Sequence, residues 1–282
     1  MNQDVLVRFL FNQRDVRGEI AYASDSLQQM LQNHDYPYPV KQLLAELVVA
    51  TSLLTATLKL DGDIAVQLQG DGPVRFAAVN GTAEQEFRGV ARLQAEIGAT
   101  GFRDLIGEGY MLVTITPKQG ERYQGIIPLT GDSLTETLEA YFAQSEQLPT
   151  RLYLFTDLTE GKSRAAGLLL QVLPVDPEKA KQDFSDLVIV TDTITSDELL
   201  NLPTEQMLHR LYHDEEVELF APQPIRFVCG CSREKCESAI ISLGKSIIEE
   251  HIAEGKLEIS CDYCNSTYQF DSAELSLLLN KF

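Results

Sequence analysis

The sequence predicts an α+β fold: a large N-terminal α+β domain with an antiparallel sheet, a linker of short helices and a small C-terminal four-cysteine module. Apolar runs typical of strands are interspersed with helical stretches but do not alternate regularly with them, which disfavours a parallel sheet. Acidic residues are concentrated in one later segment, and two close cysteine pairs follow it. We therefore predict a domain at residues 1–175, a linker at 176–224 and a module at 225–282.

The N-terminal region predicts two strands and a helix. Apolar alternation begins at Val5, a turn is expected at Arg17-Gly18, and a second strand covers Glu19–Ala23. Leu27–Gln32 has a helical pattern. Two prolines within Tyr36–Pro39 end it, because proline fixes φ and disfavours helix in the residue before it.

Val40–Leu60 has the clearest helical period in the chain. Leucine and valine recur largely at three- and four-residue steps, and small residues fill the second face, so this helix is expected to pack on two sides. We predict a core helix that does not face lipid, because Lys41, Glu46 and Lys59 interrupt the apolar pattern.

An antiparallel sheet of several strands is predicted after this helix. Gly70–Pro73 is interpreted as a turn, since it lacks the Lys-Ser/Thr of a phosphate loop. Asn80-Gly81 lies between apolar runs and predicts a hairpin turn. The predicted strands cover Ile64–Gln69, Val74–Val79, Phe87–Ala91, Tyr110–Thr116 and Tyr123–Pro128.

One more helix and two strands complete the predicted domain. Ser133 and Glu136 have the spacing of a capping box, which opens a helix from Leu134 to about Ser145. Arg151–Thr156 and Ala165–Val172 then predict strands, the second of them buried.

The composition indicates a globular, cytoplasmic protein. Of its 282 residues 44% are hydrophobic, and no run approaches the ~18–20 apolar residues that span a bilayer. The N-terminus lacks the basic and apolar regions of a secretory signal. The net charge of −19 repels nucleic-acid phosphates, so we predict neither a nucleic-acid nor a membrane partner.

The acidic segment, defined as residues 176–218, contains 12 acidic and three basic residues, a net charge of −9. Short helices are expected from Pro177, Ser196 and Thr204. Because the segment is poor in apolar residues, its fold should be marginal and should depend on docking to its neighbours. Pro222 and Pro224 separate it from the cysteine module.

The two cysteine pairs predict a closed metal site. Cys229-Gly-Cys231 and Cys261-Asp-Tyr-Cys264 are separated by 29 residues, and four thiolates suit a tetrahedral zinc ion with no position open for substrate. A fifth cysteine allows a second ligand set, Cys231/Cys236/Cys261/Cys264. The first set, Cys229/Cys231/Cys261/Cys264, is favoured, because Ser232 can cap a helix that carries Cys236 as a half-buried residue beyond the first pair.

An enzyme is not predicted. His209 and His213 have i, i+4 spacing, but the glutamate of a zinc protease is missing between them, so we interpret them as surface residues of a helix. The sequence contains no Walker-type phosphate loop, dinucleotide fingerprint or nucleophile elbow.

Three roles fit the cysteines: a static zinc site that stabilises a small domain, a thiol oxidoreductase, or a redox switch. The sequence around Cys261 lacks the βαβ setting of an oxidoreductase. In a switch, zinc keeps the sulfurs as reactive thiolates, and their oxidation ejects the metal and unfolds the module together with a marginal neighbour.

The chain resembles the 33 kDa heat-shock chaperonin family of redox-regulated bacterial holdases. The resemblance rests on Cys229–Cys236 and Cys261–Phe270, and it extends to four stretches outside the module. These are Gln67–Pro73, Tyr141–Arg151, Gly167–Pro174 and Arg210–His213.

This resemblance implies an ATP-independent chaperone that is inactive when reduced and zinc-bound, and active as an oxidised homodimer. It implies Cys229, Cys231, Cys261 and Cys264 as ligands of one zinc ion, and Cys229–Cys231 and Cys261–Cys264 as the disulfides of the oxidised form. Unfolded client proteins are the implied partners, bound by the N-terminal domain and the unfolded linker. The alternative hypothesis is a static zinc-ribbon protein that binds a macromolecule.

Overall fold

The computed structural model describes residues 4–57, 61–98, 100–159, 161–174 and 177–281. The chain separates into two units, residues 1–227 and 228–282. The further predicted division of residues 1–227 into domain and linker stays a prediction, and its boundary at residues 175–176 lies outside the described residues.

The first unit contains twelve described strands and seven described α-helices. Its strands are β1 (Val5–Phe11), β2 (Val16–Ala23), β3 (Gly62–Gly70), β4 (Val74–Thr82), β5 (Glu86–Leu93), β6 (Gly109–Pro117), β7 (Tyr123–Pro128), β8 (Thr150–Asp157), β9 (Arg164–Val172), β10 (Val217–Leu219), β11 (Gln223–Pro224) and β12 (Arg226–Phe227). Its helices are α1 (Asp25–Leu31), α2 (Tyr38–Thr57), α3 (Phe102–Ile106), α4 (Leu134–Tyr141), α5 (Pro177–Thr191), α6 (Ser196–Asn201) and α7 (Thr204–Leu211).

The strands of this unit form two sheets, so the predicted α+β class with antiparallel pairing is confirmed. The first sheet has the order β10-β1-β2-β9-β8, with β11 also paired to β1. The second has the order β12-β5-β4-β3-β6-β7. All described pairings are antiparallel except that of β12 with β5.

Helix α2 lies between the two sheets and contacts strands of both. The predicted core helix is therefore confirmed over the described residues, while the predicted extension to residues 58–60 lies outside them. Small residues such as Ala45, Ala50 and Ser52 allow close packing on both sides, and nearly all of the helix is buried. This helix is long and apolar enough to cross a membrane, and 78% of its most apolar window is buried inside the protein.

Helices α5, α6 and α7 cover the opposite face of the first sheet. Leu187, Leu199, Met207 and Leu211 pack there in one buried cluster with sheet residues such as Phe9. Strand β2 is consequently buried along almost its whole length. The acidic segment thus forms the predicted helices, and its buried apolar side chains hold it on the sheet.

The turn predicted at Arg17-Gly18 is wrong. Both residues belong to β2, and the chain reverses earlier, between Phe11 and Val16. Gly18 pairs with Phe9 across the strands, and a Cβ at Gly18 would overlap the Phe9 ring. The glycine therefore makes room for an aromatic ring, a requirement that depends on a residue outside the local sequence.

The hairpin turn predicted at Asn80-Gly81 is misplaced by a few residues. Asn80 and Gly81 pair with β3 inside strand β4, and the reversal lies between Thr82 and Glu86, where Gln85 has a φ of 61°. A Cβ at Gly81 would overlap the Phe87 ring. Again the glycine accommodates an aromatic side chain of the next strand.

The capping box predicted before α4 is half correct. Ser133 Oγ accepts a hydrogen bond from the Glu136 backbone N–H, as expected. The Glu136 carboxylate accepts from the Asp132 N–H instead of that of Ser133. The helix starts where the sequence predicts, and a π-helical turn over Phe142–Glu146 extends it.

Candidate metal centre

The second unit places its cysteines between short helices and one hairpin. After the first pair come α8 (Arg233–Leu243) and α9 (Lys245–Glu254), then β13 (Lys256–Ser260), β14 (Thr267–Asp271) and α10 (Ser272–Leu279). Strands β13 and β14 pair antiparallel, and the second cysteine pair occupies the turn between them.

The first cysteine pair curls around a glycine with a left-handed backbone. Gly230 has a φ of +67°, a conformation that glycine adopts at no steric cost. The Lys235 ammonium donates a hydrogen bond to the Gly230 carbonyl. Ser232 then caps α8 by accepting from the Lys235 N–H, so the predicted cap and helix are confirmed.

The second pair is fixed by backbone hydrogen bonds across its turn. The Asn265 N–H donates to the Cys261 carbonyl at 2.8 Å, and the Cys261 N–H donates to the Ser266 carbonyl at 2.9 Å. Asn265 has a φ of 56°, which asparagine tolerates better than most residues. This one turn therefore brings the sulfur of Cys261 and the sulfur of Cys264 into the same cluster.

The sulfur atoms of Cys229, Cys231, Cys261 and Cys264 all lie within 4.8 Å of one another. Cys229 Sγ is 3.4 Å from Cys261 Sγ, and Cys231 Sγ is 3.5 Å from Cys264 Sγ. In a tetrahedral site with Zn–S bonds of about 2.3 Å, the sulfurs are separated by ~3.8 Å. Four thiols that form no disulfide and lie at these separations fit a metal ion with little movement.

Two hydroxyl groups contact the sulfur cluster. Tyr268 Oη lies 3.2 Å from Cys231 Sγ, and Ser266 Oγ lies 3.2 Å from Cys264 Sγ. A hydroxyl that donates to a thiolate stabilises its negative charge. The thiolate neighbour raises the pKa of Tyr268 to about 12, since ionised tyrosine would lose this hydrogen bond.

The thiols differ in their acidity. Burial raises the pKa of Cys229, and hydrogen bonds with the other cysteines raise it further. Burial opposes ionisation of Cys264 as well, but hydrogen bonds with the Ser266 hydroxyl and backbone N–H and with the thiols of Cys229 and Cys231 together lower its pKa to about 7. One sulfur of the cluster is therefore readily ionised to a thiolate near neutral pH.

Cys236 lies apart from this cluster, in the small core of the unit. Its exposed fraction is 8%, so it is buried, whereas the sequence analysis placed it half-buried. It packs with Ile240 and Phe270 among others. Burial, followed by the charges of Cys231 and Cys261, raises the pKa of its thiol. Because it is buried and its pKa is raised, Cys236 is expected to be a poorly reactive thiol.

Arg233 connects the start of α8 to the hairpin and to α10. Its guanidinium lies 4.3 Å from the centre of the Phe270 ring, donates to the Gln269 carbonyl at 3.0 Å and pairs with Glu274. This contact holds the first cysteine pair close to the hairpin that carries the second.

The histidine pair considered in the sequence does not form a site. Helix α7 ends at Leu211, so His213 lies beyond it and does not share a helix face with His209. Both side chains are exposed. The prediction that both histidines are surface residues is therefore correct, but only His209 belongs to the helix.

Comparison with known proteins agrees with these features. The model of the family described as Hsp33 protein matches residues 4–271. A 33 kDa chaperonin of Pseudoalteromonas translucida is 51% identical over 281 residues, covering 99% of this chain and 100% of the relative. That of Edwardsiella ictaluri is 53% identical over 279 residues, covering 98% of this chain and 95% of the relative.

The fold is also that of a solved structure. The crystal structure of the 33 kDa chaperonin from Thermotoga maritima has a TM-score of 0.86 and 24% sequence identity, with 99% of both chains covered. With the family match and two relatives at about half identity over nearly the full length, this chain belongs to the Hsp33 protein family.

Proposed function

We propose that this protein is a redox-regulated, ATP-independent holdase chaperone. Its relatives carry the name chaperonin, which supports binding of unfolded proteins. The observation that carries the redox switch is the cluster of four cysteine sulfurs that form no disulfide and lie within 4.8 Å of one another. In chain order it directly follows an acidic segment held on an apolar sheet face.

In the reduced state the ligands of one zinc ion are Cys229, Cys231, Cys261 and Cys264. Zinc, when bound, stabilises the four sulfurs as thiolates and so adds folding free energy to a small unit. The hydroxyls of Tyr268 and Ser266 lie 3.2 Å from Cys231 Sγ and Cys264 Sγ, and each would donate a hydrogen bond to its sulfur once that sulfur is a thiolate. Cys236 stays in the core as a thiol.

Oxidation joins the cysteines that are neighbours in the sequence, Cys229 with Cys231 and Cys261 with Cys264, as the family resemblance implies. The distances of 3.4 and 3.5 Å join sulfurs of different pairs, but all four sulfurs lie within 4.8 Å of one another, so each disulfide needs little movement. With hydrogen peroxide, one thiolate attacks an oxygen and becomes a sulfenic acid, and the second thiol of the pair displaces its hydroxyl group as water. Each pair loses two electrons and reduces one peroxide to two waters. Disulfide sulfurs are poor metal ligands, so the oxidised cysteines would no longer hold a zinc ion and the unit would lose the stabilisation that the ion would supply.

Activation follows from unfolding of the linker, residues 176–224. The chain runs from the acidic segment through β10, β11 and β12 directly into Cys229. When the helices α5–α7 leave the first sheet, apolar residues on both become accessible. This surface and residues 1–175 bind clients that expose apolar segments, and the oxidised chains pair as a homodimer.

The remaining properties follow the same proposal. No ATP is consumed and no bond of a client is changed, so the protein is not an enzyme. It acts in the cytoplasm during oxidative stress, where cysteines are otherwise kept reduced. Its net charge of −19 disfavours nucleic-acid partners.

The test treats zinc-loaded, reduced protein with hydrogen peroxide under mildly unfolding conditions. We expect release of one zinc per chain to a chromogenic chelator, protease cleavage within the linker, and suppressed aggregation of a chemically denatured client. Cys236→Ser should respond as the unaltered protein does. Zinc release that leaves client aggregation unchanged would contradict the chaperone proposal and favour a static zinc module.

A further inference from the structure

Arg14 lies in the turn between β1 and β2 and binds carboxylates from two distant parts of the acidic segment. Its Nη1 is 3.0 Å from Asp183 Oδ1 in α5, and its Nη2 is 2.8 Å from Glu215 Oε1, beyond α7. Its Nε also donates to Glu215 at 3.2 Å, so that pair is bidentate. Asp186 lies 3.7 Å away. One guanidinium therefore ties both ends of the segment to the sheet.

This network is shielded from water more than ordinary surface ion pairs are. The side chains of Arg14, Asp183 and Glu215 are 30%, 8% and 18% exposed. The other Asp183 oxygen accepts from the Asp15 backbone N–H at 3.1 Å. Partly buried, bidentate and charge-assisted bonds of this kind are the strong ones, whereas exposed pairs contribute little.

The Arg14 guanidinium lies among carboxylates of the acidic segment. Three carboxylates face one guanidinium, and the acidic segment has a net charge of −9 overall. Without the guanidinium the shielded carboxylates of Asp183 and Glu215 would repel each other at short range, and Asp186, which is 46% exposed, would add a weaker, solvent-screened repulsion. Another described tie to this segment, Arg151 with Asp192, is far more exposed, at 41% and 44%.

We propose that Arg14 is the positioning residue that holds the acidic segment on the first sheet, and that its removal releases the segment while the cysteines stay reduced. Its effect is larger than that of a lost ion pair, because attraction is replaced by repulsion among Asp183, Asp186 and Glu215. The consequence for client binding rests on the proposed function, whereas the release itself does not.

The test compares full-length, reduced, zinc-loaded Arg14→Ala with Lys118→Ala. Lys118 also pairs with two carboxylates, Asp61 and Glu84, but all three are exposed and none belongs to the acidic segment. We expect amide hydrogen exchange in α5–α7 to rise about tenfold or more in Arg14→Ala only, with exchange in α2 unchanged. Equal exchange in both variants would overturn the proposal.

A second variant isolates the repulsion. Arg14→Ala combined with Asp183→Asn and Glu215→Gln removes the charges of the two shielded carboxylates and leaves only the exposed Asp186 ionised. The amide oxygen introduced at position 183 can still accept from the Asp15 N–H. We expect exchange in α5–α7 to return most of the way to that of the unaltered protein. If amide exchange in α5–α7 is as fast in the triple variant as in Arg14→Ala, Arg14 acts through packing and the electrostatic proposal is wrong.

Client aggregation separates this inference from the proposed function. In Arg14→Ala we expect suppression without oxidant. Faster exchange without suppression would leave the role of Arg14 intact and would contradict the proposal that a released linker activates the chaperone.

Discussion

The first unit encloses α2 between two sheets and has a second apolar cluster under α5–α7, so dozens of its described side chains are buried. In the second unit, six described residues form the buried core, and one of these is Cys236. A unit of about 55 residues with so small a core gains little free energy from apolar burial. The comparison indicates that packing stabilises the first unit, and we propose that the second needs a metal ion on its four sulfurs to stay folded.

Metal removal should therefore affect the two units very differently. Structural zinc adds ~10–16 kcal/mol to the apparent folding free energy of small modules, more than a core of this size supplies. With a chelator and a phosphine reductant present, we expect residues 228–281 to lose protection from hydrogen exchange while α2 keeps it. A second unit that stays protected without metal would mean that its apolar core is sufficient.

Equivalent leucines in the two cores provide the next comparison. Leu54 in α2 and Leu275 in α10 are both completely buried, and truncation to alanine costs ~2–5 kcal/mol at such sites. In the first unit, Leu54→Ala should lower the free energy of unfolding and leave zinc affinity unchanged. In the second, Leu275→Ala should weaken zinc binding at least tenfold, because binding and folding are coupled there. Competition with a chelator measures both; equal affinities would show that the sulfur site folds independently of the core.

Prediction from the sequence succeeded where the signal was local. The cysteine cluster was identified because two short Cys-to-Cys spacings are typical of four-sulfur sites, and α2 was identified by the helical period of its apolar residues. Tyr268 was missed, because its contact with Cys231 depends on how the β13–β14 hairpin meets the first pair. Its place four residues after Cys264 was the available signal.

Long-range contacts explain the other failures. Arg14 meets partners 169 and 201 residues away, so no local pattern could identify its role. Gly18 and Gly81 were interpreted as turn residues, although each makes room for an aromatic ring of a neighbouring strand. Glycine in a strand and glycine in a turn are indistinguishable without the pairing register.

The stability of the first unit should depend on pH through one buried carboxyl group. Glu19 is buried in β2, and burial raises its pKa to about 7, although Arg17 and the Thr57 hydroxyl oppose the shift. The folded state holds the proton more tightly than the unfolded state, so this carboxyl costs least stability at low pH and progressively more as pH rises through 7. Between pH 6 and pH 8 we expect the free energy of unfolding to fall by ~1 kcal/mol more in the unaltered protein than in Glu19→Gln.

Urea titration of the reduced protein at the two pH values measures this difference, with the transition of the first unit followed separately. Glu84→Gln is the matched control, since Glu84 is exposed and hydrogen bonds with Lys118 lower its pKa. If Glu19→Gln and the unaltered protein lose the same stability over this range, Glu19 is already ionised in the folded state.

The smallest effect concerns the sulfur site itself. Tyr268→Phe removes one hydroxyl from the second unit and leaves the ring in place. A hydrogen bond to a thiolate withdraws electron density from sulfur, so its loss should make Cys231 more nucleophilic. We therefore expect oxidation by peroxide and zinc release to be faster in Tyr268→Phe, by about a few-fold. Thr267→Val removes a hydroxyl of the same hairpin that contacts Ser260 and should leave the rate unchanged. Equal acceleration in both variants would mean that the stability of the hairpin controls the rate of oxidation. Acceleration in Tyr268→Phe alone would show that the Tyr268 hydroxyl lowers the reactivity of Cys231 through their direct contact.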